Sequence, residues 1–307
     1  MELQLNDHWE LFQDVQEMGE TMQVWKPGFC AGDQFFHCLS NWEPLPRLAQ
    51  LQCLFSEEPY SGRALRQFNA APWWYRKTFS VEPSCLAKGA ALRFESIDYF
   101  ARVYLNGELL GEHEGYFAPA EFEVGGRLLT DGPNTLVVRV WSPFDDRVVS
   151  MKQGGMEVGP MFRFLTSEKN MMKGTYDHAD GFFQRDVNPI GIYGDVSIRF
   201  YDAARFAGEP SVRTETQGNK AEVFVEAPVF MQEAGTVRYA VDVLHPLSAE
   251  AIVSYEKEAV LQKGKGEIKE AFVIENPLCW TLWDRGTPHL YGLRVRLLGE
   301  SGNGAQM

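Results

Sequence analysis

Apolar and polar residues alternate along much of this chain with a period of two. In "NTLVVRVW", Leu136, Val138 and Val140 share one face, and Val137, Arg139 and Trp141 share the other. The runs "DVSIRFY", "AEVFVEA", "TVRYAVDVL" and "HLYGLRVRLL" alternate in the same way. This period predicts strands of antiparallel sheets, with one face on a core and the other in water.

Turn signals separate these runs, including Asn106-Gly107, which is typical of a two-residue hairpin. A 3.6-residue period is not convincing in any long segment, although "RLAQLQCLF" favours a short helix near Arg47–Phe55. A new set of strands follows the turn residues of "YDAARFAGEP", Tyr201–Pro210. We therefore predict an all-β protein with two β-sandwich domains, residues 1–204 and 205–307.

Composition narrows the classes of function. The 307 residues are 45% hydrophobic, so the chain can bury sizeable cores, and the formal net charge of -13 argues against a nucleic-acid partner. No apolar run approaches the roughly 20 residues of a membrane span. The N-terminus has early acidic residues and lacks an apolar signal segment, so we expect a cytoplasmic protein. The five cysteines lack CxxC spacing, which favours free, buried thiols over disulfides or a zinc site.

Three segments carry a family resemblance. They are "APWWYRKTFSV", then "LRFESIDYFARVYLNGELLGEHEGYFAPAEFEV", then "DGPNTLVVRVWSP". Together they resemble the N-terminal sugar-binding domain of glycoside hydrolase family 2, which includes β-galactosidases, β-glucuronidases and β-mannosidases. The positions that match its hairpin pattern are Asp98, Asn106, Gly107, Gly111, His113, Gly115, Tyr116 and Pro119. The chain departs from that pattern by lacking one glycine before Tyr116.

Two further segments extend the resemblance along the chain. "PIGIYGDVSIRF" is similar to the last strand of the family's jelly-roll domain, with Gly194 where arginine is common. "NPLCWTLWDRGTPHLYGLRVRLL" is similar to a signature of the family's following domain. The resemblance implies a jelly-roll, galactose-binding-like β-sandwich followed by an immunoglobulin-like β-sandwich. It also implies that the partners are a β-glycoside carbohydrate and the catalytic TIM barrel of a full-length enzyme.

The family's catalytic chemistry is not evident in these residues. By resemblance, two glutamates of the barrel act as acid/base and nucleophile in a retaining mechanism, and the acid/base normally follows an asparagine. This chain has no Asn-Glu dipeptide and no length left for a barrel of about 250 residues. Glu112 and Glu114 could face the same side of a strand, but two solvated carboxylates are the simpler interpretation. We assign no catalytic residue, no metal site and no cofactor, and we expect the second domain to be truncated.

One loop remains a candidate for sugar contact. In the family, a polar residue before the "GIxRxV" strand reaches the sugar at the non-reducing end. The resemblance implies that this segment is "TYDHADGFFQRDVNPIGIYGDV", and the candidates are Asp177, His178, Asp180, Gln184 and Arg185. Carboxylates and amides can bind vicinal hydroxyls, and Phe182 or Phe183 could stack on a sugar face.

Three functional hypotheses follow. The chain is the non-catalytic front of a family 2 glycosidase, a stand-alone carbohydrate-binding protein, or an interaction module without sugar affinity. The unfinished second sandwich favours the first, because a missing strand leaves an unpaired sheet edge.

Overall fold

The protein is described by a computed structural model, which covers residues 1–29, 41–59, 62–85, 88–142 and 187–299. These residues divide into two compact units, with the division between Phe200 and Tyr201. Thirteen pairs of neighbouring strands among these residues are antiparallel. The predicted all-β class is confirmed.

The first unit contains twelve strands among its described residues. They are β1 (Glu2–Gln4), β2 (Glu10–Gln13), β3 (Glu43–Pro44), β4 (Trp73–Phe79), β5 (Gly89–Phe94), β6 (Ile97–Asp98), β7 (Phe100–Leu105), β8 (Glu108–Glu114), β9 (Ala120–Glu123), β10 (Asn134–Trp141), β11 (Gly191–Ile192) and β12 (Val196–Tyr201). They form a four-stranded sheet, β1-β12-β5-β9, a six-stranded sheet, β3-β2-β4-β10-β7-β8, and the pair β11-β6.

Helix is a small part of the described first unit. The α-helix α1 covers Leu51–Phe55, and 3₁₀ turns cover Arg63–Asn69 and Pro83–Cys85. The helix predicted near Arg47–Phe55 is thus confirmed over its second half. The Asn106-Gly107 hairpin is also confirmed, because φ is 52° at Asn106 and 87° at Gly107, the positive values that such a turn requires.

The central strands of the six-stranded sheet carry buried apolar side chains on both faces, which the alternation alone did not predict. Leu136, Val138 and Val140 of β10 face the main core of the first unit. On the opposite face, Val137 packs with Trp74 and Tyr104 in a second cluster. Residues 14–29, which we call the strap, cross this outer face and shield it from water. The expectation of one wet face is therefore wrong for this sheet.

The second unit contains β13 (Ala204–Phe206), β14 (Ser211–Gln217), β15 (Lys220–Met231), β16 (Gly235–Leu244), β17 (Ala251–Leu261), β18 (Gly264–Glu275) and β19 (Gly292–Leu298). In one sheet β15 lies centrally, with β13 and β14 on one edge and β18 on the other. The other sheet has the order β17-β16-β19. Alternate residues of the two central strands, such as Val225 and Val241, fill the core between the sheets.

Three cysteines fall among the described residues, and all three are free thiols. Cys85 is buried, Cys53 is half-buried and Cys279 is exposed. The prediction of free thiols is confirmed for these residues, whereas the prediction of burial holds fully for Cys85 alone. Cys30 and Cys38 lie outside the described residues.

A buried carboxylate links the two sheets of the second unit. Glu270 of β18 accepts hydrogen bonds from the Tyr239 hydroxyl on β16, the Tyr255 hydroxyl at 2.9 Å and the Lys257 ammonium at 2.7 Å, both on β17. Burial alone would raise the pKa of Glu270, but the three donors outweigh it and hold the pKa below its ordinary 4.5. Burial, followed by the neighbouring Glu270 carboxylate, raises the pKa of both Tyr239 and Tyr255.

We expect Glu270→Ala to lower the free energy of unfolding of the full chain by about 3 kcal/mol at pH 7, because it leaves three donors without their acceptor. Since the folded pKa lies below 4.5, the contribution is present above that pH and is lost as the pH falls through the folded pKa. Chemical denaturation at several pH values measures both effects.

The matched control is Glu275→Ala on the same strand, which removes an exposed 2.7 Å pair with Lys220. It should cost less than about 1 kcal/mol. Equal effects of the two variants would contradict the role assigned to Glu270.

Candidate functional site

The predicted sugar-contacting residues Asp177, His178, Asp180, Gln184 and Arg185 lie outside the described residues, as do Phe182 and Phe183. The prediction that they touch sugar stays a prediction. The structure does describe both ends of the segment that carries them. That segment leaves the sheet after Ser142, next to the end of β10, and returns at Val187, ahead of β11.

A buried asparagine joins these two ends. The side-chain amide of Asn69 donates to the carbonyl oxygens of Ser142, at 2.6 Å, and Asn188, at 2.8 Å. Its side-chain oxygen accepts from the Asn188 amide at 3.0 Å. Because all three residues are buried, these bonds do not compete with water, and they fix the spacing at the base of the segment. No sequence pattern pointed to Asn69, since its role depends on residues 73 and 119 positions away.

Asp98, a residue of the family hairpin pattern, lies beside this base. It is Gly191's partner in the β6–β11 ladder. Its Oδ2 accepts from Gln50 Nε2 at 2.8 Å, whereas its Oδ1 is buried without a hydrogen-bond partner within the described ranges. Burial raises the pKa of Asp98 from 3.8 to about 7, although hydrogen bonding with Gln50 and Tyr193 opposes the shift. The ionised form of the Asp98 carboxyl group is therefore less stable in the folded protein than in water.

Gly191 permits the close packing around Asp98. A Cβ atom at Gly191 would lie 2.7 Å from the Ala49 carbonyl oxygen and 3.1 Å from the Tyr75 hydroxyl oxygen, and its φ is +138°. A side chain at this position would therefore clash and strain the backbone. The short strand β11 therefore packs closely against the backbone just before α1 and against the Tyr75 side chain of β4.

Aromatic side chains collect at the same end of the six-stranded sheet. Phe100 and Trp141 stack with ring centroids 5.4 Å apart, and Tyr99 contacts both Phe100 and Tyr116 at 4.7 Å. Phe117 is 77% exposed next to them. Tyr116 is buried, whereas Phe117 is available to solvent. Aromatic faces of this kind can pack on the apolar face of a sugar ring.

The two glutamates that flank His113 have separate partners. Glu112 accepts from Arg102 Nε at 2.7 Å, and Glu114 accepts from the Tyr99 hydroxyl at 3.1 Å. Both residues are exposed on β8. Burial lowers the pKa of His113 between them. This arrangement supports the interpretation of Glu112 and Glu114 as solvated carboxylates that bond to their neighbours.

Two further observations on the described part of the chain concern metal ligands and membrane-spanning helices. It contains no group of three or more His, Cys, Asp or Glu side chains placed to hold a metal ion. None of its helices has the length and apolar character needed to cross a membrane.

Comparisons with known proteins agree with this architecture. Residues 52–179 match the family domain described as "Glycosyl hydrolase 2 galactose-binding domain-like", and residues 206–306 match "Glycosyl hydrolases family 2". The chain belongs to glycoside hydrolase family 2. It carries the family's galactose-binding-like N-terminal domain and its immunoglobulin-like domain. These are non-catalytic domains of family 2 glycosidases, and the catalytic barrel is not among the described residues.

Curated family 2 relatives are much longer than this chain. It is 22% identical over 238 residues to a β-galactosidase of Thermoanaerobacter pseudethanolicus, covering 74% of this chain and 26% of the relative. It is 24% identical over 244 residues to β-mannosidase B of Thermothelomyces thermophilus, covering 78% and 28%. The chain thus spans about a quarter of the length of these relatives.

A solved glycosidase structure shows the same fold. The β-D-mannosidase of Dictyoglomus thermophilum superposes with a TM-score of 0.68 at 22% identity, over 100% of this chain and 36% of that one.

The raised pKa of Asp98 gives a pH-dependent prediction. Because the folded protein holds this proton more tightly than the unfolded chain, stability should fall as the pH rises from 3.8 to about 7. The slope is at most about 1.4 kcal/mol per pH unit. Asp98→Asn should remove this slope, and the variant should gain stability relative to the natural protein above pH 7. Urea denaturation between pH 4 and pH 8 measures the difference.

Asp131→Asn, at an exposed loop position, is the control and should follow the natural protein at every pH. If the Asp98→Asn curve ran parallel to that of the natural protein over this range, Asp98 would not have the raised pKa.

Proposed function

We propose that this chain is the non-catalytic N-terminal portion of a retaining family 2 glycoside hydrolase that acts on β-glycosides. In this role it binds carbohydrate and supports a catalytic barrel supplied by further polypeptide. The observation that carries the proposal is the pair of adjacent family matches, at residues 52–179 and 206–306, on a chain that spans about a quarter of its curated relatives.

The arrangement of acidic side chains supports the non-catalytic part of the proposal. Retaining glycosidases place two carboxyl groups about 5–5.5 Å apart across the scissile bond. In the described residues, Glu112 and Glu114 bond to Arg102 and Tyr99 instead. These bonds give both glutamates a structural role beside the hairpin.

An exposed apolar segment in the second unit supports the scaffold part. Four large apolar side chains are exposed between β18 and β19: Trp280, Leu282, Trp283 and Leu290, with Trp283 86% exposed. A bridge between Trp280 and Pro288 holds this connection together. Exposed apolar side chains at this density are typical of a surface that another polypeptide covers.

The first test is an assay of this chain with nitrophenyl β-galactoside, β-mannoside and β-glucuronide, beside binding to immobilised glycans. We expect glycan binding without turnover. Turnover by the chain that a single substitution such as Glu112→Gln abolishes would overturn the proposal, because the catalytic site would then lie within these residues.

The second test concerns the candidate segment. If Asp180 accepts hydrogen bonds from sugar hydroxyls, Asp180→Ala should weaken glycan binding by about tenfold or more, since bonds to a charged group are worth about 1.5–3 kcal/mol. Isothermal titration calorimetry measures the change. Asp131→Ala serves as the matched control and should bind as the natural chain does. Unchanged affinity in Asp180→Ala would remove Asp180 from the site.

A further inference from the structure

The strap leaves one corner of the six-stranded sheet uncovered. Glu20 of the strap pairs with Arg102 and with Arg139, and Trp25 stacks on Tyr104 with ring centroids 4.5 Å apart. These contacts fix the strap over β7 and β10. At the strap's far end, Pro27 lies so close to Gly107 that a Cβ there would be 2.9 Å from Pro27 Cδ. The described part of the strap therefore packs against the hairpin turn, and its last residues form one wall of a groove whose other walls come from β2, β4 and β10.

The uncovered corner is a groove of about 320 Å³. Its lining residues come from the strap, from β2, β4 and β10, and from the turn before β10: Glu10, Val24, Lys26, Pro27, Gly28, Phe29, Arg76, Thr78, Pro133, Thr135 and Val137. Ligand pockets generally measure roughly 300–1,000 Å³. This groove therefore has room for one sugar ring rather than for an oligosaccharide.

The polar groups of the groove are held at fixed spacing by strand pairing. Thr78 of β4 and Thr135 of β10 are direct partners in the antiparallel ladder, so their hydroxyls lie side by side. Two residue pairs further along β4, on the same face of the sheet, Arg76 donates from Nε to Oε2 of Glu10, its partner on β2, at 2.8 Å. The Arg76 guanidinium also lies 4.4 Å from the Trp42 ring centroid, which holds it in place.

These groups match the hydrogen-bonding needs of a pyranose. Each sugar hydroxyl both donates and accepts, and a neighbouring carboxylate and guanidinium supply an acceptor and a set of donors for two adjacent hydroxyls. Each threonine hydroxyl can either donate or accept a hydrogen bond. Pro27 and Phe29 supply apolar surface for the C–H face of the ring, and the buried Val137 lies beneath them at the floor of the groove.

The charges of the groove also fit a carbohydrate better than a cation. Arg76 and Glu10 balance each other, and Lys26 adds one positive charge. The Arg76–Glu10 pair is only partly buried, and such a pair adds little to stability. Its hydrogen-bonding groups therefore remain available to a ligand at little cost to the fold.

We propose that this groove binds the single pyranose at the end of a glycan, at a site separate from residues 177–185. The Glu10–Arg76 pair contacts two adjacent hydroxyls, and Thr78 and Thr135 contact the next polar atoms of the ring. The inference rests on the carbohydrate-binding part of the proposed function and does not depend on a catalytic barrel. Because the site is small and open on one side, we expect a dissociation constant on the order of 1 mM.

The test is a titration of the full chain, labelled with ¹⁵N, with methyl β-galactoside, methyl β-mannoside and methyl β-glucuronide. At least one sugar should shift the amide signals of Thr78, Thr135 and Val137 together, with a single dissociation constant. The double variant Thr78→Val/Thr135→Val keeps the β-branched shape and removes both hydroxyls, so it should weaken binding by about tenfold or more.

The matched control is Thr214→Val/Thr216→Val on β14, an exposed strand of the second unit, and it should leave binding unchanged. If none of the three sugars shifted the groove signals, the inference would be overturned. Glycan binding that Asp180→Ala abolishes and the groove variant does not would also overturn it, while the proposed function would stand. Loss of binding in the groove variant, with Asp180→Ala unaffected, would support the groove and move the carbohydrate site away from residues 177–185.

Discussion

Strands β4 and β10 lie at the centre of a sheet that has apolar side chains on both faces. Their inner residues, such as Tyr75 and Val138, pack in the sandwich core, and their outer residues, such as Trp74 and Val137, need a cover of their own. A sheet with one wet face would expose this second cluster to water at a cost of about 25 cal/mol for each Å². The strap supplies that cover by packing residues such as Val24 and Trp25 on the outer face.

Specific hydrogen bonds and ion pairs, rather than strand pairing, hold the strap on the outer face of the sheet. Asp14 accepts hydrogen bonds from the amides of Met18 and Gly19 and from Trp74 Nε1 at 3.0 Å. These bonds hold the first residues of the strap against Trp74 of β4. Because the strap has no strand pairing of its own, its side chains determine where it lies and which part of the sheet stays open. The groove is thus a direct result of how the outer face is covered.

Buried polar groups have different consequences in the two units. Glu270 has three donors, which stabilise its charge and connect the sheets of the second unit. Asn69 is likewise bonded through its amide nitrogen and oxygen, and it joins the ends of the candidate segment. Asp98 accepts from Gln50 through Oδ2, but its Oδ1 is buried without a hydrogen-bond partner within the described ranges, and burial raises its pKa toward neutrality. A buried charge is tolerated where donors surround it, and it becomes sensitive to pH where they do not.

The sequence alone determined the strands, the hairpin and the family. Alternation with a period of two is a local property, and Asn106-Gly107 encodes its turn through backbone preferences that do not depend on distant residues. The motifs around Asp98 and Trp280 are also contiguous, so they pointed to glycoside hydrolase family 2 without coordinates. The predicted sugar contacts at Asp177 to Arg185 lie in a segment that the structure does not describe.

Tertiary structure decided how those strands are covered and which polar groups meet. The sequence of the strap does not indicate that Glu20 pairs with Arg102, 82 positions away. The strand patterns likewise do not indicate that Thr78 lies beside Thr135. The position of Asn69 between Ser142 and Asn188 is likewise set by chain paths that converge from distant parts of the sequence. Local patterns encode backbone conformation, whereas partners in space depend on how the whole chain buries its apolar surface.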